Sequence, residues 1–202
     1  MYANQIIDNR FAATGAADIA TILESAFPQS ILVLLIEHDV KIVPIGKTSY
    51  VEASPAIRSM GIDVDAWPIP PAGLFVVAER TVYIRAITRM TVVHEVGHAI
   101  DCALGGGIYR SGFDVKIRRA YANARDFVTP YAASGIDEYF AESMRAFTDR
   151  GNDPKCSWIP ATRERLAKID PTMFSLLSDI VAEVEQDFNA ARAGEQLALF
   201  AA

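Results

Sequence analysis

The sequence is poor in the residues and segments that define several protein classes. Its only two cysteines, Cys102 and Cys156, are too few for a disulfide framework in 202 residues, so a reducing compartment such as the cytoplasm is expected. The N-terminal residues lack the basic and apolar regions of a secretory signal, which favours the same location, with non-classical export as the alternative. The longest purely apolar run, residues 31–36, is too short to span a bilayer.

Positive charge is also scarce. The chain has 19 Lys and Arg residues against 25 Asp and Glu residues, which gives a formal net charge of −6. Binding to a nucleic-acid backbone depends on clustered Lys and Arg, so direct nucleic-acid binding is not expected. Apolar residues make up 51% of the sequence, which excludes a disordered or fibrous chain. The length predicts a single domain over residues 1–191, followed by a tail at 192–202.

The hydrophobic pattern predicts helices and strands in a definite order. Helices are expected at 16–27 and 29–37, a strand at 39–45, irregular structure at 54–71, a hairpin at 74–78 and 81–86, and helices at 89–104, 114–127, 134–150 and 170–191. Ser134 and Asp137 form a predicted capping box, and Asp170-Pro171 predicts a capped start of the last helix. The order predicts an α+β fold, in which N-terminal helices and a small, mostly antiparallel sheet precede a helical half.

The strongest chemical signal is the run His94-Glu95-Val96-Gly97-His98 on the predicted helix at 89–104. Two histidines four residues apart lie on one face of a helix, so both imidazoles can bind one metal ion. The glutamate between them can act as general base toward a metal-activated water. Zinc is predicted, one ion per chain, because it is redox-inert and keeps an open catalytic position. Histidines that only cap or pack are the alternative.

A catalytic zinc site of this kind needs a third protein ligand. No histidine follows the motif within a few residues, which argues against the metzincin arrangement, and His38, the remaining histidine, lies in a predicted turn. A carboxylate on the helix at 134–150 is the natural choice. Glu138 and Glu142 lie one turn apart there, so on spacing alone either could be the third ligand. The alternative is that both glutamates lie on a solvated helix face.

The residues around these glutamates resemble a known family. Residues 137–145, together with Tyr131, resemble the second metal-binding helix of the anthrax lethal factor catalytic domain and of the Pro-Pro endopeptidases, which are zinc peptidases of the gluzincin type. Residues 94–101 resemble the first metal-binding helix of that family, and residues 73–75 are similar to a weaker family feature. The resemblance extends from about residue 73 to residue 148 and implies a zincin-like metallopeptidase domain.

The resemblance also implies roles for individual residues. Glu138 is the third zinc ligand beside the two histidines, and Tyr131 donates to the oxyanion of the tetrahedral intermediate. Glu95 takes a proton from the water and passes it to the leaving amine. Glu142 and Asp101 are candidates to orient the ligand imidazoles, with ordinary helix-surface positions as the alternative.

A peptide substrate is expected to bind in extended form along the edge of the predicted hairpin, through main-chain pairing. The strand at 81–85 is the predicted edge. The glycine run at 105–107 either forms a rim of the cleft or only ends the preceding helix.

A second motif lies near the C-terminus. Gln196, Leu197, Leu199 and Phe200 resemble the short peptide by which bacterial replication and repair proteins dock on the DNA polymerase sliding clamp. Such a peptide places a glutamine and a Leu-Phe pair in an apolar groove. An apolar tail packed on its own domain and a degradation signal are the alternatives.

Three functions are therefore compared. The first is a zinc-dependent endopeptidase acting on a protein substrate. The second is a cytosolic regulatory peptidase that cleaves a repressor. The third is a non-catalytic adaptor that the sliding clamp recruits and in which the metal is structural. The general base Glu95 argues against the third function, because a structural metal site has no need of it.

Overall fold

The first part of the chain combines short helices with a small sheet, and the second part is helical. A computed structural model describes residues 2–149 and 161–200, with side chains as far as residue 194. The α-helices among these residues are α1 (Ala3–Ile6), α2 (Ala16–Ala26), α3 (Gln29–Glu37), α4 (Tyr50–Ala53), α5 (Pro55–Met60), α6 (Arg89–Leu104), α7 (Val115–Asn123), α8 (Ile136–Thr148), α9 (Arg163–Ile169) and α10 (Pro171–Phe200). The strands are β1 (Lys41–Pro44), β2 (Gly73–Val76) and β3 (Thr81–Ile84). The predicted α+β class is confirmed.

The three strands form one mixed sheet in the order β1-β3-β2. Strand β2 pairs antiparallel with β3 as the predicted hairpin, but β1 pairs parallel with β3, so the sheet is not mostly antiparallel. The parallel pairing is possible because the long connection through α4 and α5 returns the chain to the same end of the sheet. The prediction that residues 81–85 form the edge is wrong, because β1 occupies the second side of β3. The strand beside α6 is the edge strand β2.

The two faces of the sheet contribute to different hydrophobic clusters, because successive strand residues point to opposite faces. On one face Ile42, Phe75 and Val82 join the large core formed with α2, α3, α6, α8 and α10. On the other face Val43 and Tyr83 pack against α4 and α5. The sheet therefore lies between the main helical layer and a smaller helical cover.

Helices α2 and α3 supply much of the large core. Their limits agree closely with the prediction, since α2 ends before Pro28 and α3 follows directly. No single helix among the described residues has the length and hydropathy of a membrane span, although the bent pair of α2 and α3 reaches these values jointly.

The start of α8 differs from the prediction. Its N-cap is Gly135, without a side-chain cap, and the Ser134 hydroxyl donates instead to the Tyr131 carbonyl at 2.7 Å. The capping box of Ser134 and Asp137 is therefore not formed. The 3₁₀ turn Tyr131–Ala133 directly before the helix places Ser134 where its hydroxyl can close that turn.

The last helix begins as predicted and continues further. The carboxylate of Asp170 accepts a hydrogen bond from the Met173 backbone N–H at 2.9 Å, which confirms the predicted cap. Helix α10 runs to Phe200 rather than to residue 191. The side chains of the predicted clamp-docking motif (Gln196, Leu197, Leu199 and Phe200) lie outside the described residues. Helix α9, which Thr162 caps, has no counterpart among the predicted elements.

The two helices that carry the motif residues cross closely. Gly97 on α6 faces the backbone of Ala141 on α8, where a Cβ added to Gly97 would lie 3.0 Å from Cα and 3.1 Å from the carbonyl oxygen. Glycine thus permits a helix separation that a larger residue would prevent.

Replacing Gly97 with alanine tests this crossing. The backbone of a packed helix cannot move aside as a flexible side chain can, so we expect G97A to lower the free energy of unfolding by about 1–3 kcal/mol, net of the better helix propensity of alanine. Denaturant-induced unfolding measures the difference.

The matched control is G194A. Gly194 is also helical, but no described atom lies within 4 Å of its added Cβ, so its stability should stay unchanged or rise by up to about 1 kcal/mol. Equal stabilities of G97A and G194A would contradict a tight crossing.

Candidate metal centre

Three donor groups meet where α6 and α8 cross. The Nε2 atoms of His94 and His98 lie 3.2 Å and 3.3 Å from the same oxygen of Glu138, Oε2. The imidazole rings are 4.9 Å apart and nearly perpendicular. Because the two histidines are one helical turn apart, both rings can face the carboxylate of Glu138. The structure thus brings together all three residues that were predicted as metal ligands.

The donor set fits a zinc ion. It consists of two imidazole nitrogens and one carboxylate oxygen, all within 4.8 Å of one another and sheltered from solvent. Oxygen Oε2 of Glu138 is buried without a hydrogen-bond partner among the described residues, and a buried carboxylate oxygen requires a partner. Two histidines and one glutamate are a known ligand set of catalytic zinc, with a fourth position left for water.

A second glutamate holds the first histidine. Nδ1 of His94 donates to Oε1 of Glu142 at 2.8 Å. The other carboxylate oxygen accepts from the Thr129 hydroxyl at 2.6 Å, and the guanidinium of Arg145 donates to both oxygens at 2.8 and 2.9 Å. Glu142 therefore has the position expected of a residue that orients a ligand imidazole.

The charges in this cluster compensate one another. Burial alone would lower the pKa of His94, but the nearby carboxylates of Glu138 and Glu142 outweigh burial and raise the pKa to about 10. Burial opposes the ionised form of Glu138 too, yet contacts with both imidazoles lower its pKa to about 2. Burial also raises the pKa of Glu142, but the contacts of its carboxylate with His94 and Arg145 outweigh burial and lower the pKa well below its usual range. The metal-free cluster thus holds a proton on His94 between two carboxylates.

Glu95 lies against the first residue of the edge strand. It is only 8% exposed, and burial raises its pKa, opposed by the imidazoles of His94 and His98. A Cβ at Gly73 would lie 2.6 Å from the Cγ atom of Glu95 and 2.8 Å from Cγ2 of Thr91. Glycine at position 73 is therefore needed to leave room for the Glu95 side chain.

Tyr131 lies at the open side of the cluster. Its hydroxyl donates to Oε1 of Glu138 at 2.8 Å, and its ring centroid is 5.7 Å from that of His94. The side chain is 48% exposed. Partial burial and the adjacent carboxylate of Glu138 raise the pKa of Tyr131, so the hydroxyl keeps its proton at neutral pH and remains a hydrogen-bond donor.

The carboxylate of Asp101 does not orient an imidazole. It is fully buried and accepts hydrogen bonds from the backbone N–H and the hydroxyl of Ser111, while Nδ1 of His98 has no hydrogen-bond partner among the described residues. The reason lies in the chain after α6, which folds back and brings Ser111 to the carboxylate. Burial raises the pKa of Asp101 to about 6, although the bonds from Ser111 oppose this shift.

Some residues at the centre have no counterpart among the predicted site residues. The ring of Tyr109 packs 5.7 Å from that of His98 and 6.3 Å from that of Phe75, and Thr129 and Arg145 hold Glu142. Arg145 could have been recognised, because it lies three residues after Glu142 and so shares its helix face. Tyr109 and Thr129 lie in segments without regular periodicity and carry no such signal.

A cleft of about 290 Å³ opens beside these groups. Its lining residues are Pro71, Ala72, Gly73, Met90, Thr91, His94, Glu95, Tyr131, Glu142 and Arg145. The cleft is therefore bordered by the start of the edge strand β2 on one side and by Tyr131 on the other. The glycines at 105–107, which were considered as a rim, are absent from the residues that line it.

A comparison with solved structures identifies the fold. The chain is similar to the Pro-Pro endopeptidase of Paenibacillus alvei, with a TM-score of 0.64 and 18% sequence identity, over 89% of this chain and 100% of that chain. No family model and no curated protein matches the sequence. The likeness supports the Pro-Pro endopeptidase side of the sequence resemblance at the level of fold, and the lethal factor side stays a prediction.

Metal affinity should rise with pH. A histidine binds a metal only in its neutral form, and the metal-free His94 keeps its proton up to a pH of about 10. We therefore expect zinc binding to release about one proton and to tighten by about tenfold per pH unit through the neutral range. The same proton stabilises the metal-free fold fully below pH 6.5, and that stabilisation disappears as pH rises through about 10.

Calorimetric titration with zinc in buffers of different ionisation enthalpy measures the proton count. Competition with a chelator at several pH values measures the affinity. An absence of proton release at neutral pH would show that His94 is already neutral in the metal-free protein.

Removing the support of His94 should weaken metal binding. In E142Q the amide retains the shape of the side chain but loses the charge that attracts His94 and Arg145, so we expect zinc affinity to fall by about 10–100-fold. T129V removes one of the bonds to Glu142 and should have a smaller effect in the same direction. The exposed Glu185 on α10 provides E185Q as the control, and equal affinities of E142Q and E185Q would contradict the support by Glu142.

Proposed function

We propose that this protein is a zinc-dependent endopeptidase that cleaves peptide bonds of a protein substrate. The observation that carries the proposal is the convergence of two imidazole nitrogens and one carboxylate on a single point, with a further carboxylate, Glu95, beside them in an open cleft. The endopeptidase of similar fold supports the reaction class. His94, His98 and Glu138 are the proposed ligands, in the gluzincin arrangement.

The proposed chemistry is metal-assisted hydrolysis. Zinc bound by the three ligands would supply a Lewis acid that increases the acidity of water and polarises the scissile carbonyl. Glu95 accepts the proton of the attacking water and returns it to the leaving amine. Its burial favours this role, because a raised pKa makes the carboxylate a stronger base.

Tyr131 is the proposed oxyanion donor. Its hydroxyl reaches Glu138 across the open side of the cluster and retains its proton, so it can donate to the negative oxygen of the tetrahedral intermediate. Removal of one oxyanion donor in other enzymes costs about 2.7–4 kcal/mol, and a contribution of this order is expected here.

The substrate is proposed to bind along β2. This strand pairs with β3 on one side only and starts at Gly73, in contact with Glu95. An extended peptide that pairs with the outer edge of β2 would pass directly over the metal centre. The edge strand β2 thus lies next to Glu95, the proposed general base.

The regulatory peptidase remains a special case of this proposal, because cleavage of a repressor would use the same residues. The non-catalytic adaptor is disfavoured by the position of Glu95. A buried carboxylate at the mouth of a cleft is costly and contributes nothing to a purely structural metal site.

Two substitutions separate metal binding from catalysis. E95Q should retain about one zinc ion per chain and lose about 100-fold or more in kcat/KM, because it removes the base and leaves the ligands in place. E138A should lose zinc after mild chelation and lose activity with it. Elemental mass spectrometry measures zinc, and a library of quenched fluorescent peptides measures cleavage.

The control for both variants is E183Q, a change of the same kind on the exposed face of α10, which should keep zinc and activity. Full turnover by E95Q would refute the role of the general base. Wild-type protein that binds no zinc even after reconstitution would refute the metallopeptidase proposal altogether.

A further inference from the structure

A second concave site lies apart from the candidate metal centre. It is a cavity of about 500 Å³ between α7 and the start of α10. Its polar walls carry Lys116, Arg119 and Arg125, and its apolar walls include Ile169 and Leu176. We call it the basic pocket. It shares none of its lining residues with the catalytic cleft.

The cations of the basic pocket have no partner among the described residues. The side chains of Lys116, Arg119 and Arg125 are exposed, and among the described residues none of them forms a hydrogen bond or an ion pair. Nine other described arginines do have partners: Arg10, Arg58, Arg80, Arg85, Arg89, Arg110, Arg145, Arg163 and Arg165 each donate to a protein oxygen, whereas the exposed Arg118 and Arg192 do not. The pocket therefore gathers uncommitted positive charge in a chain whose net charge is −6.

Asp170 is the one carboxylate among the described residues that line the basic pocket, and it already accepts hydrogen bonds from other groups of the protein. Asp170 is only 6% exposed and accepts hydrogen bonds from the backbone N–H of Met173 and from the hydroxyl of Tyr139. Both carboxylate oxygens are thus engaged on the protein side. The three cations exceed this one negative charge, so the pocket keeps a positive potential.

We propose that the basic pocket binds a short acidic peptide segment of a partner protein. Carboxylates are the complement of three unpaired cations, since arginine binds them through paired hydrogen bonds. The apolar walls and the concave shape suit a peptide that inserts into the pocket and packs the methylene groups of its side chains against Ile169 and Leu176. The site is independent of the peptidase proposal, because none of its residues belongs to the metal centre.

A nucleic acid fits the pocket less well than an acidic peptide. Phosphate-backbone binding needs cations spread over several successive phosphates, whereas these cations are concentrated around one cavity. The negative charge of the chain as a whole would also repel a long polyanion.

The binding partner can be tested directly with the full chain. A labelled oligoglutamate peptide is titrated with wild-type protein, with R119Q and R125Q, and with the matched control R118Q. Arg118 lies on the same helix, is also exposed and carries the same charge, but does not line the pocket. Each pocket variant should bind about tenfold more weakly, as the loss of a charge-assisted hydrogen bond requires, and R118Q should bind as the wild type does.

The opposite results are equally definite. Equal weakening in all three variants would show a non-specific effect of net charge and would refute the pocket. No binding of oligoglutamate, or binding of a single-stranded oligonucleotide in its place, would refute the acidic peptide. Circular dichroism of each variant excludes loss of fold, which these exposed substitutions are not expected to cause.

Discussion

The close crossing of α6 and α8 is the constraint on which the candidate metal centre depends. Gly97 lets the backbone of Ala141 come within van der Waals distance, and this separation decides whether Glu138 can reach the Nε2 atoms of both histidines. Because Gly97 lies directly before His98, and Ala141 lies directly before Glu142, the contact and the site form one unit. A displacement of α8 by a fraction of an ångström would therefore change the packing and the donor geometry together.

The buried charged groups at this crossing orient the ring of His94 more than they stabilise the fold. Glu142, Arg145 and His94 are removed from water, and the desolvation cost of such groups often cancels their attraction. Their value lies in fixing the ring of His94, since both oxygens of Glu142 are saturated by directed hydrogen bonds. Thr129 adds a link from the loop that precedes α8. A rigid imidazole binds a metal with little further loss of entropy.

The sheet positions the other wall of the cleft beside the candidate metal centre. The backbone N–H of Tyr50 donates to Asp65 at 2.7 Å, and its hydroxyl donates to the Pro71 carbonyl at 2.9 Å. Arg85, directly after β3, pairs with Asp65 and lies over the Tyr50 ring at 4.5 Å. These contacts fix the loop that leads into β2. Gly73 is thereby held against Glu95, and the edge strand lies next to the centre.

The sequence by itself determined the elements whose signals are local. The helices at 16–26, 29–37 and 89–104, the cap at Asp170 and the hairpin all follow from periodicity, capping residues and β-rich runs. The grouping of His94 and His98 on one face also follows from helical spacing. The resemblance added Glu138 and Tyr131, although the sequence alone could not choose between Glu138 and Glu142.

Only the tertiary structure decided how the elements meet. It placed β3 in the centre of the sheet and made β2 an edge strand, because β1 pairs with β3 across a long connection that no local pattern reports. In the folded chain Asp101 accepts hydrogen bonds from Ser111 instead of orienting an imidazole. Packing also places Tyr109 beside His98, Thr129 beside Glu142 and the three cations around the basic pocket. Each of these contacts joins residues from separate elements, so its formation depends on the packing of whole helices and strands rather than on the residues next to it in the chain.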